Sequence, residues 1–248
     1  MRKSLLLAIV LIMVFGKLSA QTQHQNTGWF MFVNNTKFNE KWGLHFDFQL
    51  RTADDWVHTR NILIRPGITY YVNRNQNVTL GYLLTQTYNP EFDFIDVSPG
   101  VILNKTANEH RIWEQYIINH KIKSGFATHR FRLEQRFVQR SMALPGVEPD
   151  FFAQRFRYFF RLIQPLQKTE TNFTKGAFVA LQNEVFLNLQ NKSELNGNVF
   201  DQNRAYLAVG YRFSKQFDIE AGYMNQATKG RTSNMMNNII QLAVYTRF

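Results

Sequence analysis

The feature that most constrains this chain is an alternation of apolar and polar residues with a period of two. In residues 43–52, apolar residues occupy every second position and polar residues the positions between: Leu44, Phe46, Phe48 and Leu50 against His45, Asp47, Gln49 and Arg51. Successive side chains of a β-strand point to opposite faces, so this segment has one apolar and one polar face. A helix would scatter both sets around its circumference. The alternation therefore predicts a strand.

The same pattern recurs along the chain and predicts an all-β protein. Eleven segments are expected to be strands, near residues 28–37, 42–52, 61–72, 78–88, 110–120, 126–140, 152–164, 175–188, 203–213, 216–226 and 237–248. Most are about 9 to 13 residues long, close to the length of a tilted strand that crosses a bilayer. Strands of globular proteins are usually shorter, about 5 or 6 residues.

The predicted connections are short at one end of the strands and long at the other. Short turns are expected at residues 39–41, 73–77, 121–125 and 214–215, and long loops at residues 53–60, 89–109, 141–151, 190–202 and 227–236. This asymmetry is typical of bacterial outer-membrane barrels, which have short periplasmic turns and long outer loops.

Residues 1–20 are predicted to be a secretory signal peptide, cleaved after Ala20. Arg2 and Lys3 precede an unbroken apolar run over residues 5–15, and Leu-Ser-Ala at residues 18–20 fits a small-residue cleavage site. The apolar run is too short for a spanning helix, which needs about 20 residues. Residues 21–248 are then expected to form a single domain outside the cytoplasm.

Together these patterns predict an antiparallel transmembrane β-barrel of about 10–12 strands, located in the outer membrane. A soluble β-sandwich also alternates, with its apolar face buried, and is the alternative fold. The leader, the long strands and the aromatic end of the last strand favour the barrel. Bacterial single-chain barrels have even strand numbers, so eleven segments indicate either ten wall strands or twelve.

The final predicted strand places Ile240, Leu242 and Val244 on the face that also carries the terminal Phe248. A closing strand that ends in phenylalanine resembles the C-terminal signal read by the bacterial outer-membrane barrel assembly machinery. We therefore expect this machinery and outer-membrane lipid to be partners of the chain.

Several motifs also carry a family resemblance. They are EHRIWEQ at residues 109–115, HRFRLEQRF at 129–137, NEVF at 183–186 and QNR at 202–204, followed by GYR at 210–212 and GY at 222–223. As a set they resemble the domain of unknown function family 2490, over the chain from about Trp29 to Phe248. The resemblance implies a secreted outer-membrane β-barrel of Gram-negative, Bacteroidota-type bacteria with no assigned activity. It transfers no catalytic residue.

The polar strand faces predict a lumen rich in arginine. If the apolar faces meet lipid, the charged residues that line the lumen are Arg51, Arg65, Arg130, Arg132, Glu134, Arg136, Arg155, Arg157, Arg161, Glu184, Arg204 and Arg212, with Asp47, Asp218 and Glu220 as further acids. Arginine forks match carboxylate and phosphate groups, so one hypothesis is a porin-like lumen that admits or binds a small anionic solute. The other is structural packing of arginine–carboxylate pairs, which the narrow bore of a small barrel favours.

One predicted strand, near residues 110–120, has no clean polar face. If Arg111, Trp113 and Gln115 face the lumen, a bulky indole lies inside and Glu114 faces lipid, where a carboxylate is costly. A register that is shifted by one residue, or a position of Glu114 near the lipid headgroups, would account for this pattern. We favour these explanations over a functional role for Glu114.

Catalysis has little support, and a hydrolase at the extracellular rim is the alternative function. Every serine of the mature chain falls in a predicted loop or turn, so none lies on a strand wall as a nucleophile. The candidate acid and base residues of a rim site are Asp54, Asp55 and His58 in one loop and Asp93 and Asp96 in another.

The remaining classes of function are excluded by composition and pattern. The chain has no cysteine, which excludes disulfides, thiol catalysis and cysteine-based zinc sites. Its histidines are too scattered to predict a metal site, and we expect no cofactor. An excess of 29 Lys+Arg over 18 Asp+Glu would suit nucleic acid, but the arginines alternate along strands instead of forming an exposed patch.

Overall fold

The computed structural model describes residues 22–53, 56–89, 98–167 and 173–248. The expected signal peptide lies outside the described residues. Thirteen β-strands and one short 3₁₀ turn, Lys192–Glu194, make up the regular structure of the described chain. Among these residues, no helix is both long enough and apolar enough to span a membrane.

Eleven long strands form the wall of a closed barrel. They are β1 (Thr22–Lys37), β2 (Trp42–Ala53), β3 (His58–Tyr71), β4 (Gln76–Tyr88), β6 (Thr106–Ile122), β7 (Gly125–Gln139), β9 (Asp150–Pro165), β10 (Gly176–Gln190), β11 (Phe200–Ser214), β12 (Phe217–Thr228) and β13 (Asn234–Arg247). Each of them overlaps one of the eleven segments predicted from alternation. The two-residue strands β5 (Ile102–Leu103) and β8 (Met142–Ala143) lie in long connections and pair with each other.

The barrel closes through a parallel pair between its first and last strands. β1 pairs with β13 in parallel from Thr22 opposite Asn234 to Asn35 opposite Arg247, whereas all other neighbouring wall strands are antiparallel. An odd number of up-and-down strands leaves the first and last strands running in the same direction, so they can pair only in parallel. Eleven strands lie within the predicted range of about 10–12, but the expectations of an even number and of antiparallel pairing throughout were wrong. The all-β barrel itself is confirmed.

The two ends of the barrel differ in the length of their connections. The end that carries the turns after β1, β3, β6 and β11 is called the short-turn mouth, and the other end the long-loop mouth. The connection between β9 and β10 also lies at the short-turn mouth and is described only in part. β1 begins at the long-loop mouth, and the chain ends at the short-turn mouth.

The distribution of side chains is the reverse of that in a soluble barrel. Large apolar side chains cover the outer wall, where Ile68, Leu80, Leu207 and Val209 are 57%, 58%, 53% and 63% exposed. Most of the buried charged side chains point into the lumen and are held by ion pairs, which are described below. The interior of the barrel is therefore a largely polar core inside an apolar shell.

β6 places Trp113 in the lumen and Glu114 on the outer wall. Trp113 is fully buried, and Gly67 and Gly81 on the neighbouring strands leave room for its indole. A Cβ atom at Gly67 would lie only 2.9 Å from Cη2 of Trp113. Glu114 accepts a hydrogen bond from Nε2 of Gln135 at 3.1 Å on the outer face. A register shift was therefore wrong as an explanation, because the two glycines make the lumen wide enough for the indole. The other explanation, a position of Glu114 near the lipid headgroups, stays a prediction.

Candidate functional site

The charged residues of the lumen come from strands that alternate inward and outward positions. On β7, the residues at 130, 132, 134 and 136 all point inward, and on the adjacent β9 the residues at 155, 157 and 161 do so. Register places Glu134 directly opposite Arg155 and Arg132 opposite Arg157. The period of two therefore stacks acids and arginines of different strands side by side in the barrel.

Glu134 is the centre of the largest ion-pair cluster. Its Oε1 accepts from Nη1 of Arg157 at 2.6 Å, and its Oε2 accepts from Nη2 of Arg155 at 2.7 Å. Arg111 and Arg132 lie farther away, with Nη1 atoms at 3.6 and 3.9 Å from the carboxylate. Glu134 is completely buried. Four guanidinium groups thus compensate one carboxylate that could not stay charged alone in this position.

A second cluster lies on the side of the long-loop mouth. Glu109 accepts from Nε of Arg111 and from Nε of Arg136, each at 2.6 Å. Arg155 reaches past Glu134 to Asp201, with 2.9 Å between Nη1 and Oδ2. Both clusters share arginines, so they form one continuous network.

The network continues toward the other side of the barrel. Oε1 of Glu184 accepts from Nη2 of Arg130 at 2.7 Å and from Nε of Arg157 at 2.9 Å. Two further acids each bind one arginine: Asp47 pairs with Arg65, and Glu220 pairs with Arg161. These carboxylates are consequently occupied by arginines and do not present free negative charge to the lumen.

A separate cluster closes the wall at the short-turn mouth. Asp218 accepts from Nε of Arg212 and from Nη2 of Arg247, each at 2.8 Å. Arg212 also donates to the carbonyl oxygen of Phe173 at 2.7 Å. These contacts join β11, β12 and β13 to the residues that precede β10.

Two inward arginines, Arg51 and Arg204, form no ion pair with any described residue. Both guanidinium groups lie over the indole of Trp29, with Cζ atoms 3.9 and 4.9 Å from the ring centroid. A cation over an indole is attracted to the ring but keeps its full charge. The indole of Trp29 is therefore flanked by two arginines that no described carboxylate neutralises.

Two cavities meet at this point. A central cavity of about 150 Å³ is lined by Trp29, Arg51, Arg204 and the paired residues around Asp47 and Glu184. A cavity of about 410 Å³ at the long-loop mouth is lined by Thr27, Trp29, Arg51, Asn61 and Asn237, among others. Trp29 and Arg51 line both cavities, so they form the boundary between them.

Of the twelve charged residues predicted to line the lumen, ten form ion pairs, whereas Arg51 and Arg204 form none with the residues that the structure describes. Four further residues of the clusters were not among the predicted lumen residues: Glu109, Arg111, Asp201 and Arg247. Glu109 and Arg111 share a strand face with Trp113. Assigning that face to the lumen would have found both residues.

The residues of the alternative rim site are only partly described. Asp54, Asp55, Asp93 and Asp96 lie outside the described residues. His58 is the first residue of β3 and lines a surface cavity with Tyr88 and Lys105. In the described part of the chain, no group of three or more histidine, cysteine, aspartate or glutamate side chains could hold a metal ion.

Comparison with known proteins identifies a family and no activity. Residues 26–237 match the family described as Protein of unknown function (DUF2490). No curated protein and no solved structure gave a significant match. The matched residues extend from β1 to β13, so they include nearly the whole barrel and its lumen. The resemblance in the sequence motifs is thereby confirmed, and the chain belongs to the DUF2490 family of proteins of unknown function.

Proposed function

We propose that this protein is a non-enzymatic outer-membrane β-barrel that binds a small anionic solute in an arginine-rich lumen. The supporting observation is the inverted barrel, with apolar side chains outside and buried, paired charges inside. Exposed apolar patches of this extent are costly in water, whereas lipid favours them. A soluble sandwich would bury this face between two sheets.

Aromatic side chains at the barrel ends support a membrane location. Near the short-turn mouth, Trp42 packs edge-on against Tyr70 with ring centroids 5.0 Å apart, and Tyr211 packs against Phe213 at 4.9 Å. All four are exposed on the outer wall. Membrane barrels carry such aromatic girdles at the lipid–water interface.

Some polar side chains on the outer wall are paired with each other, which suits a lipid environment. Asn183 and Asn203 exchange amide hydrogen bonds of 3.2 and 3.1 Å across β10 and β11. Glu114 is bound by Gln135 in the same way. These pairs reduce the cost of placing polar groups in a hydrocarbon environment.

The filled interior supports binding instead of conduction. Trp113, Arg132, Glu134 and Phe186 are each at most 1% exposed although they lie inside the barrel. A water-filled channel would leave such side chains accessible. We infer that the lumen is closed at this level and that the cavity around Trp29 takes up solute from the long-loop mouth.

For delivery to the outer membrane we propose that residues 1–20 act as the signal peptide and that the barrel assembly machinery recognises β13 together with Phe248, the residue after it. Phe248 is 68% exposed, which leaves its ring free for recognition. No observation favours the rim hydrolase, because among its candidate residues only His58 is described.

The test is expression of the full chain in a Gram-negative host, followed by membrane fractionation and gel electrophoresis with and without heating. We expect the protein in the outer-membrane fraction, with a mobility that changes on heating, and no discrete conductance steps in planar bilayers. Recovery as a soluble periplasmic protein would refute the membrane location. Regular conductance steps from the folded barrel would refute the closed lumen.

A further inference from the structure

Arg51 is held by an amide that is itself bound to an acid. Its Nε and Nη2 donate to Oε1 of Gln49 at 3.2 and 2.5 Å. The Nε2 atom of Gln49 donates to Oδ1 of Asp47 at 3.0 Å, and Asp47 pairs with Arg65. The amide of Gln49 therefore fixes the position of the Arg51 guanidinium. The carboxylate of Asp47, the nearest one in this chain of contacts, is bound to Arg65.

Arg204, which lies on β11, is positioned in a similar way. Its Nη2 lies 3.4 Å from Oε1 of Gln202, an oxygen that also accepts a hydrogen bond from Gln226. The residue is only 9% exposed, and its buried Nε has no hydrogen-bond partner in the described part of the chain. Since a buried donor without a partner is costly, this site is incomplete as it stands.

The two guanidinium groups converge on one aromatic ring. Trp29 lies directly opposite Arg51 in the register of β1 and β2, and Arg204 reaches the same indole from β11. Arg204 also lies over Phe186, with 4.7 Å between Cζ and the ring centroid. Rigid aromatic faces thus orient both cations at the boundary of the two cavities.

The cavities limit the size of a ligand and give it a route. The central cavity of about 150 Å³ would hold a compact anionic group, and the mouth cavity of about 410 Å³ would hold the rest of a small molecule. The mouth cavity offers polar groups from Thr27, Asn61, Gln226 and Asn237. A ligand can therefore enter from the long-loop mouth with its charged end toward Trp29.

We propose that Arg51 and Arg204, oriented by Trp29, form a binding site for the carboxylate or phosphate group of a small organic anion. This site rests on the proposed function, for which it gives the binding residues and the class of ligand. Arginine forks bind both oxyanions through paired, charge-assisted hydrogen bonds. The preorganised amide contacts reduce the ordering cost of binding.

The experiment measures binding of two probes, inorganic phosphate and succinate, to the full barrel folded in detergent micelles. Binding is measured by isothermal titration calorimetry, and the midpoint temperature of thermal unfolding is measured in parallel. We expect saturable binding of at least one probe, with a higher midpoint as the probe concentration rises. The probe that binds more tightly identifies the headgroup, since phosphate and carboxylate are tested separately.

Variants test whether the site is the one described. Arg51→Gln and Arg204→Gln are each expected to weaken binding by about tenfold or more, the loss of one charge-assisted contact. Lys215→Gln, at an exposed position in the turn after β11, removes the same charge and should bind like the wild type. If a glutamine variant fails to fold, Arg51→Lys and Arg204→Lys keep the charge and remove the fork, and a loss of affinity is again expected.

Two results would overturn the assignment. One is a folded, heat-modifiable wild-type barrel that binds neither probe. The other is binding that survives in both arginine variants at wild-type affinity. A chain that forms no membrane barrel would instead refute the proposed function, so the two failures are distinguishable.

Discussion

Nη1 of Arg157 lies 2.6 Å from Oε1 of Glu134, and this ion pair is almost completely buried inside the barrel. The lumen of this barrel is thus held by charge pairs at positions where a soluble protein would carry hydrophobic side chains. Each pair is stable only while both partners are present, because burial of a single uncompensated charge is far more costly than burial of the pair.

Replacing Glu134 by glutamine is therefore expected to destabilise the barrel by about 3–5 kcal/mol, since Arg155 and Arg157 lose a shared carboxylate. Urea unfolding from lipid vesicles would measure the change. Glu194→Gln is the matched control, because Glu194 pairs with Arg140 at the exposed rim, and its loss should cost less than about 1 kcal/mol. Equal effects of the two substitutions would contradict a role for the buried network in stability.

Gly67→Ala is expected to destabilise the barrel by about 1–3 kcal/mol, because the new methyl group would press on the indole of Trp113. Trp113→Phe in the same chain should restore much of this loss, since the smaller ring withdraws from Gly67. Gly81→Ala is the comparison, as its Cβ would also lie 2.6 Å from the carbonyl oxygen of Pro66, which no change at Trp113 removes. Thermal unfolding of Gly67→Ala and of Gly81→Ala, each with and without Trp113→Phe, would be compared with that of Trp113→Phe alone. If Trp113→Phe restored stability in both glycine variants, or in neither, the result would contradict this packing.

Alternation predicted the strands and their faces because it reports, residue by residue, which side of a wall a side chain occupies. It carries no information on which strand is the neighbour or in which direction that neighbour runs. The parallel seam between β1 and β13 joins segments at opposite ends of the chain, and only three-dimensional closure reveals it.

The composition of the lumen was likewise accessible from the sequence, whereas its pairing was not. Arg130 binds Glu184, which is 54 residues away in the chain, and Arg161 binds Glu220, which is 59 residues away. Such partners depend on register and on reach across the barrel. That Arg51 and Arg204 have no ion pair among the described residues likewise depends on which arginine each lumen carboxylate reaches.

The parallel seam can be tested by a disulfide between Asn26 and Asn238, which are direct partners in the register of β1 and β13. Because the chain has no native cysteine, Asn26→Cys with Asn238→Cys gives a single possible crosslink. We expect rapid oxidation and a reducible change in gel mobility of the folded protein. The pair Asn26→Cys with Leu242→Cys is four positions out of register and should not crosslink. Efficient crosslinking of that control pair, in place of the first, would contradict the parallel register.

The odd number of strands places the start of β1 and the end of β13 at opposite mouths. In the proposed membrane location, the two would then lie on opposite sides of the membrane. If the long loops face the cell exterior, the beginning of β1 must also be exterior, and the turn after β11 must be periplasmic.

Single cysteines at Gln23, Ser193 and Lys215, all exposed positions, make this measurable. In intact cells a membrane-impermeant maleimide should label Gln23→Cys and Ser193→Cys, and should label Lys215→Cys only after the outer membrane is permeabilised. Labelling of Lys215→Cys alone would show the reverse orientation, with the short turns outside. Labelling of Ser193→Cys together with Lys215→Cys, but not Gln23→Cys, would contradict a barrel that spans the membrane through these strands. Labelling of Gln23→Cys and Ser193→Cys in intact cells would place the start of β1 on the same side of the membrane as the long loops.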